Sequence, residues 1–165
     1  MALTKEKKIE IVGKLKDIFK KSPSVVFVNF HGLSVADTGA MRSTLREQGV
    51  GYFVTKKTLI HRVLLDSGVK GNLPVLDGEL ALVYLSGSDD NIAPARGVYE
   101  FVQKHKNNIT ILGGIFDGKY IDHVEMTSIA TIPSLEVLYG QFVNIINSPI
   151  AGLVIALNGI AEAKN

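Results

Sequence analysis

The chain has 165 residues, 46% hydrophobic and 21% charged, which supplies enough apolar material for a packed core and rules out wholesale disorder. It has no cysteine, which excludes a disulfide framework, a thiolate nucleophile and any zinc site that needs sulfur ligands. The formal net charge of +2 hides an asymmetry: residues 1–62 carry twelve Lys/Arg against five Asp/Glu, and residues 63–165 carry six against eleven. A basic first third points to a polyanionic partner, against the alternative of a solvated face with no partner.

The first apolar residues are interrupted by Lys5, Glu6, Lys7 and Lys8, so a chain without a secretory leader is expected. Ile9, Val12, Leu15 and Phe19 recur at three- and four-residue spacing and predict an amphipathic helix over residues 4–21, ended by Ser22-Pro23. Ser24–Phe30 is β-branched and aromatic and reads as a buried strand, followed by a turn at His31-Gly32. Ser34 with Asp37 resembles a capping box and opens a helix that stops before Gly49. Val50–Thr55 is a second strand, Lys57–Ser67 a short helix closed by Gly68, Val69–Gly78 a loop and Leu80–Ser86 a third strand. Asp89, Asp90 or Asn91 can cap the next helix, with Pro94 tolerated in its first turn. Ile109–Phe116 is a fourth strand, with Gly113-Gly114 marking a bend or bulge. Asp122 and Glu125 suggest a capping box for a short helix to about Thr131, and Ser134 can cap a last helix. Four strands separated by helices suit an α+β sandwich of the βαββαβ type, with an extra helix between the middle strands; a small doubly wound parallel sheet is the alternative.

The last segment differs in kind. From Val137 to Ala161 there is no charged residue, and the polar positions are Gln141, Asn144, Asn147, Ser148 and Asn158. Three readings compete. A membrane anchor needs about 18 or more consecutive, mostly apolar residues, whereas the longest stretch here without a polar side chain is Pro149–Leu157. A core helix folded back on the domain is the second. The third is a docking rod, suggested by an internal repeat: Phe142–Asn147 aligns with Leu153–Asn158 at an offset of eleven residues. Eleven residues make three helical turns plus roughly 20°, so both copies face nearly one way, about 16 Å apart. The patches comprise Phe142, Val143 and Ile146, then Leu153, Val154, Leu157 and Ile160, with Pro149 between them.

The basic residues concentrate around the second strand. Arg42 and Arg46 lie at i, i+4 on one helix. Beyond the strand come Lys56 and Lys57, then a helix start with Thr58, His61 and Arg62. Lysines and the free N–H groups of a helix start suit phosphate. Lys5, Lys7 and Lys8 can join this patch. No aromatic interleaving of the single-strand-binding kind is evident, so folded RNA shape and phosphate are the expected target.

No catalytic constellation is present. There is no P-loop, G-x-G-x-x-G, H-E-x-x-H or G-x-S-x-G, and His31, His61, His105 and His123 are not at ligand spacing. Neither an enzyme nor a metal or other cofactor is expected.

The segment Leu45-Arg46-Glu47-Gln48-Gly49-Val50, followed by Val54-Thr55-Lys56-Lys57-Thr58-Leu59, resembles the L-R-x-x-G-V … V-x-K-N-T-L signature of the bacterial large-subunit ribosomal stalk-base proteins, the L10 family. The opening Met1-Ala2-Leu3 with its Lys-rich helix, Gly78-Glu79 before a buried strand, Ala130–Ser134 and the repeated apolar tail fit as well. The resemblance covers the whole chain. It implies a ferredoxin-like α+β domain on the stalk-base region of large-subunit ribosomal RNA, beside ribosomal protein L11. It also implies a C-terminal helix carrying dimers of the acidic stalk protein L7/L12, which recruit translational GTPases. Lys56, Thr58 and Leu59 match the signature, while Lys57 stands where the family usually has Asn.

The expectation is therefore a cytoplasmic, ribosomal, non-enzymatic α+β protein with a ferredoxin-like domain over residues 1–132 and a projecting C-terminal helix over 133–165 that docks two stalk-protein dimers. A protein-binding adaptor without RNA binding and a tail-anchored membrane protein are the alternatives.

Overall fold

The computed structural model describes residues 4–67, 69, 74, 76–87, 90–104 and 108–164. The chain divides into two compact units, Met1–Ile132 and Pro133–Asn165.

In the first unit the order is α1 (Lys5–Lys21), β1 (Ser24–Asn29), α2 (Val35–Glu47), β2 (Val50–Val54), α3 (Lys57–Ser67), β3 (Leu80–Leu85), α4 (Ala93–Lys104), β4 (Thr110–Phe116), β5 (Lys119–Asp122) and α5 (His123–Ala130). The strands form one sheet in the order β2-β3-β1-β4-β5, and every pairing is antiparallel. The doubly wound parallel alternative is thereby excluded. The first four strands have the split βαβ arrangement of a ferredoxin-like sandwich.

Sheet burial explains the extra helices. Every residue of Ser24–Val28 is buried, an apolar run without the usual in–out alternation of an antiparallel strand. Val26 and Val28 pack with Met41, Leu45, Val98 and Met126, that is, with α2, α4 and α5. Val25 and Phe27 pack with Leu15, Ile60, Val63 and Leu64 of α1 and α3. The two additional helices thus cover the sheet face that a two-layer sandwich leaves open, and the sequence must be apolar on both faces.

The helix starts follow local chemistry. Ser34 caps α2 by accepting the Asp37 N–H at 3.1 Å. Asp90 accepts the Ile92 N–H at 3.0 Å just before α4, in which Pro94 is the second residue. Asp122 stands at the N-cap of α5 but makes no side-chain cap bond, so that expected capping box is not formed. Along α1 the core-facing residues are Ile11, Val12, Leu15 and Phe19, whereas Ile9 points to solvent.

Gly113 and Gly114 sit at a true bulge: the β1–β4 register passes from Phe27↔Gly113 to Val28↔Ile111, leaving Leu112 as the extra residue. Gly113 has φ +133°, and a Cβ there would stand 2.6 Å from the Ile121 carbonyl oxygen.

The fifth strand is an addition to the four expected. It follows a two-residue hairpin turn, Asp117-Gly118, whose residues have φ of 50° and 74°. Phe116 and Lys119 close that hairpin. The expected close of α3 at Gly68, the candidate cap Asp89, His105, Met1–Leu3 and residues 70–73 and 75 of the 69–78 loop lie outside the described residues.

The second unit is built on one helix, α6 (Leu135–Lys164), 30 residues long, which runs through Pro149.

Candidate nucleic-acid interface

All ten basic or polar residues singled out for RNA are exposed: Lys5, Lys7, Lys8, Arg42, Arg46, Lys56, Lys57, Thr58, His61 and Arg62. The fold sorts them into two groups.

The first group gathers where α1 and α3 start. The two helices run alongside each other in the same direction. Ile11 of α1 lines one hollow with Lys56 and Lys57, and farther along Lys16 and Phe19 line another with Val63 and Asp66. Lys7 and Lys8 lie about one turn before Ile11, so they belong to the end at which α3 begins. The Lys56 carbonyl accepts the N–H groups of Leu59 and Ile60, and those of Lys57 and Thr58 have no backbone acceptor among the described residues. Lys57, Thr58 and His61 border a hollow of about 310 Å³ with Leu76. Cationic side chains thus surround a helix N-terminus, an arrangement suited to phosphate oxygens.

Pairing neutralises lysines in the middle of α1. Lys14 is held by Glu10 at 2.6 Å, and that hydrogen bond and charge keep the Glu10 carboxyl below its usual range. Lys16 is held by Asp66 at 3.1 Å. Among the described residues, Lys5, Lys8, Lys56, Lys57 and Arg62 form no such ion pair, and neither do Lys20 and Lys21 at the far end of α1; Lys7 forms none either, but its charge helps to lower the Glu10 carboxyl. Their charge is available to an outside polyanion.

The second group, Arg42 and Arg46, lies on α2, against the opposite sheet face. Both line a hollow of about 360 Å³ at the outer edge of β2, with Gly51, Tyr52 and Tyr84 among its other walls. The Arg42 guanidinium stands 4.9 Å from the centre of the Tyr52 ring. Burial raises the Tyr52 hydroxyl above its usual value, and the Arg42 charge opposes that rise. Spacing along the chain does not separate arginines from lysines in this way, because β2 alone carries the backbone from one sheet end to the other. Nor does it reveal the tyrosines: Tyr84 is more than thirty positions from Arg46 and reaches it only through the β2–β3 pairing.

On α6 the seven candidate partner-binding residues Phe142, Val143, Ile146, Leu153, Val154, Leu157 and Ile160 are all exposed, from 57% at Ile160 to 64% at Val143. Leu138, Tyr139 and Ile150 are exposed too; at about 100° per residue Tyr139 and Ile150 fall within the same stripe and Leu138 about 40° beyond its edge. The six-position repeat does not reach them, which is why sequence spacing alone omits them. By length and composition, Leu135–Ala163 could cross a membrane. Gln141, Asn144, Asn147 and Asn158 would then carry unpaired amides into hydrocarbon.

Among the described residues no cluster of His, Asp or Glu is arranged to hold a metal ion.

Residues 3–103 match the family model described as Ribosomal protein L10. The large ribosomal subunit protein uL10 of Thermotoga neapolitana is 35% identical over 162 residues, spanning 96% of this chain and 90% of its own length. That of Shouchella clausii is 34% identical over 164 residues, spanning 99% and 97%. That of Dehalococcoides mccartyi is 35% identical over 159 residues, spanning 94% and 88%.

Proposed function

The chain belongs to the ribosomal protein L10 family, and from that premise we propose that its basic unit seats it on large-subunit ribosomal RNA while α6 anchors acidic stalk-protein dimers. As a member of that family it is a structural, non-enzymatic protein of the large ribosomal subunit, and its place is the ribosome in the cytoplasm.

The observation that carries the finer reading is the division of labour between the two units. In unit Met1–Ile132 a cluster of cations without a salt bridge among the described residues lies where α1 and α3 start. In unit Pro133–Asn165 a long helix exposes large apolar side chains and carries no charge from Val137 to Ala161. The cations suit phosphate, and several phosphate contacts give strongly salt-dependent binding. An apolar stripe of this length in water calls for a protein cover. Burying three large side chains per patch contributes about 5–8 kcal/mol before ordering costs, enough for a durable partner. The two patches, Phe142/Val143/Ile146 and Leu153/Val154/Leu157 with Ile160, each take one dimer of L7/L12, which the net acidic character of that partner keeps off the RNA. Pro149 lacks the N–H that would bond the Ile145 carbonyl, and the break it makes in the ladder keeps two bulky dimers apart. Ribosomal protein L11 is the expected neighbour on the RNA.

Co-sedimentation with ribosomes over a range of salt tests the RNA arm. Purification of the chain from native lysate tests the helix, since a stalk base brings a small acidic protein in excess of one copy. A chain that sediments with ribosomes but brings no acidic protein leaves α6 without its proposed role.

A further inference from the structure

β2 is an outer strand of the sheet, bonded only to β3. Its register partners alternate between the two sheet faces, and Ser86 N–H bonds the Gly49 carbonyl at 3.0 Å. In an antiparallel ladder the bonded pairs recur at every second residue, so Gly49, Gly51 and Phe53 turn their backbone groups toward β3. Val50, Tyr52 and Val54 turn theirs outward, where no strand pairs with them.

Gly51 faces Tyr84 across the ladder. The Tyr84 ring occupies the space that a side chain at position 51 would take: a Cβ there would lie 2.6 Å from Cε2 and 2.7 Å from the hydroxyl oxygen. The ring is packed over the Gly51 backbone, is only half-buried, and lines the hollow at the strand edge. Around the edge, Arg42 stacks on Tyr52, and neither Arg42 nor Arg46 has an acidic partner among the described residues. The Tyr52 hydroxyl is buried without a hydrogen-bond partner among the described residues. Tyr84 and Gly51 lie on the α1/α3 face of the sheet and Tyr52 with the two arginines on the α2 face, and the two sets come together round the open edge of β2, where they line one hollow of about 360 Å³, within the usual size of small-ligand sites.

We propose that this hollow holds one unstacked nucleotide of the bound RNA, its base stacked on Tyr84 and its phosphate gripped by Arg42 and Arg46. The proposal rests on the RNA-binding reading above and deepens it. Unpaired bases splayed from RNA loops are recognised by stacking on aromatic rings together with contacts to phosphate and base edges. Guanidiniums grip phosphate through two parallel N–H groups, which lysine cannot do. The lysines at the start of α3 and the arginines at this hollow stand at opposite ends of β2, so one RNA strand following the open edge would meet both. Charge complementarity selects a polyanion here over a second β-strand, which would need no arginines.

The test uses the full chain and a transcript of the stalk-base region of large-subunit ribosomal RNA carrying 4-thiouridine. Ultraviolet cross-linking should join the RNA to the peptide containing Tyr52 or to that containing Tyr84. Tyr84→Leu should lower affinity about 5- to 150-fold, the range of one base–aromatic stack, with the salt slope unchanged. Tyr84→Phe keeps the ring and should bind as the unaltered chain does. Arg42→Gln with Arg46→Gln should reduce the log–log salt slope by about 1–2. A folded Tyr84→Leu variant that binds as tightly as the unaltered chain overturns the proposal, and so do cross-links confined to α1 and α3. In either case the RNA-binding reading stands. An unaltered chain that does not bind the transcript overturns both. If Tyr84→Leu does not fold, the position of the cross-link decides.

Discussion

Lys16 on α1 reaches Asp66 on α3, with Nζ and Oδ2 3.1 Å apart. Both side chains are about half exposed, so the pair contributes less than about 1 kcal/mol. Its importance is positional. It joins the second halves of the two helices and neutralises Lys16, away from the end where Lys56 and Lys57 open α3. Asp66→Asn should accordingly change stability by less than about 1 kcal/mol in chemical denaturation and leave RNA affinity intact. A large loss of affinity would place the phosphate-binding end wrongly.

Replacing Lys56, Lys57 and Arg62 together by Ala should weaken RNA binding without unfolding the domain, because all three are exposed and outside both core clusters. Loss of about three phosphate contacts should reduce the log–log salt slope by roughly 2–3. A folded variant with unchanged affinity and slope would reduce this end to a solubilising face.

The isolated residues 1–132 should stay folded, soluble and able to bind RNA, since both core clusters lie wholly within that unit. Circular dichroism and a gel shift against the same transcript check this. Aggregation, or melting far below the full chain, would show that α6 contributes to the core.

Gly114→Ala should destabilise the chain by more than about 2 kcal/mol, by overpacking. A methyl at that position would collide with the Val25 carbonyl oxygen and come within 2.5 Å of Met126 Cε. The backbone of β1 cannot yield, because it is hydrogen-bonded to β3 and β4 on its two sides. A fluorescence or dichroism denaturation curve that superimposes on that of the unaltered chain would contradict the tight packing of α5 on the bulge.

Alkaline pH should weaken the fold through Tyr52 and Tyr120. Burial raises both hydroxyls above the usual tyrosine value of 10.0, with the Arg42 charge partly opposing the rise at Tyr52. A raised folded value means that the neutral form is favoured in the native state. Stability from this source is therefore complete below about pH 10, where the unfolded tyrosines begin to ionise. It is lost as pH rises through the folded values. Denaturation midpoints should be flat up to that onset and fall above it. The double variant Tyr52→Phe, Tyr120→Phe should fall less steeply.

Much of this architecture is readable from local pattern. Lys57–Ser67 emerges as a helix because apolar positions recur at helical spacing between a strand and a loop, and the structure has the same bounds. The bulge is legible in Gly113-Gly114, since two adjacent glycines inside an apolar strand mark a place where the backbone departs from the regular pleat. β5 escapes because Lys119–Asp122 is four residues long and charged at both ends. Its one signal is Asp117-Gly118, a favoured two-residue hairpin turn. The candidate interface is harder. Which basic residues face which side depends on α2 and α3 packing against opposite sheet faces, a long-range outcome that a count of charges along the chain does not encode. Tyr84 joins Arg46 only once the strand order is fixed.

The central claim is that one chain joins RNA to two stalk-protein dimers through separate units. Native mass spectrometry of the full chain, mixed with the stalk-base transcript and the acidic stalk protein, tests it most directly. The predicted species contains one RNA, one chain and two dimers, and deletion of residues 151–165 removes one dimer while retaining the RNA. A deleted chain that still holds two dimers, a full chain that holds none, or RNA and dimers that displace each other would contradict the account.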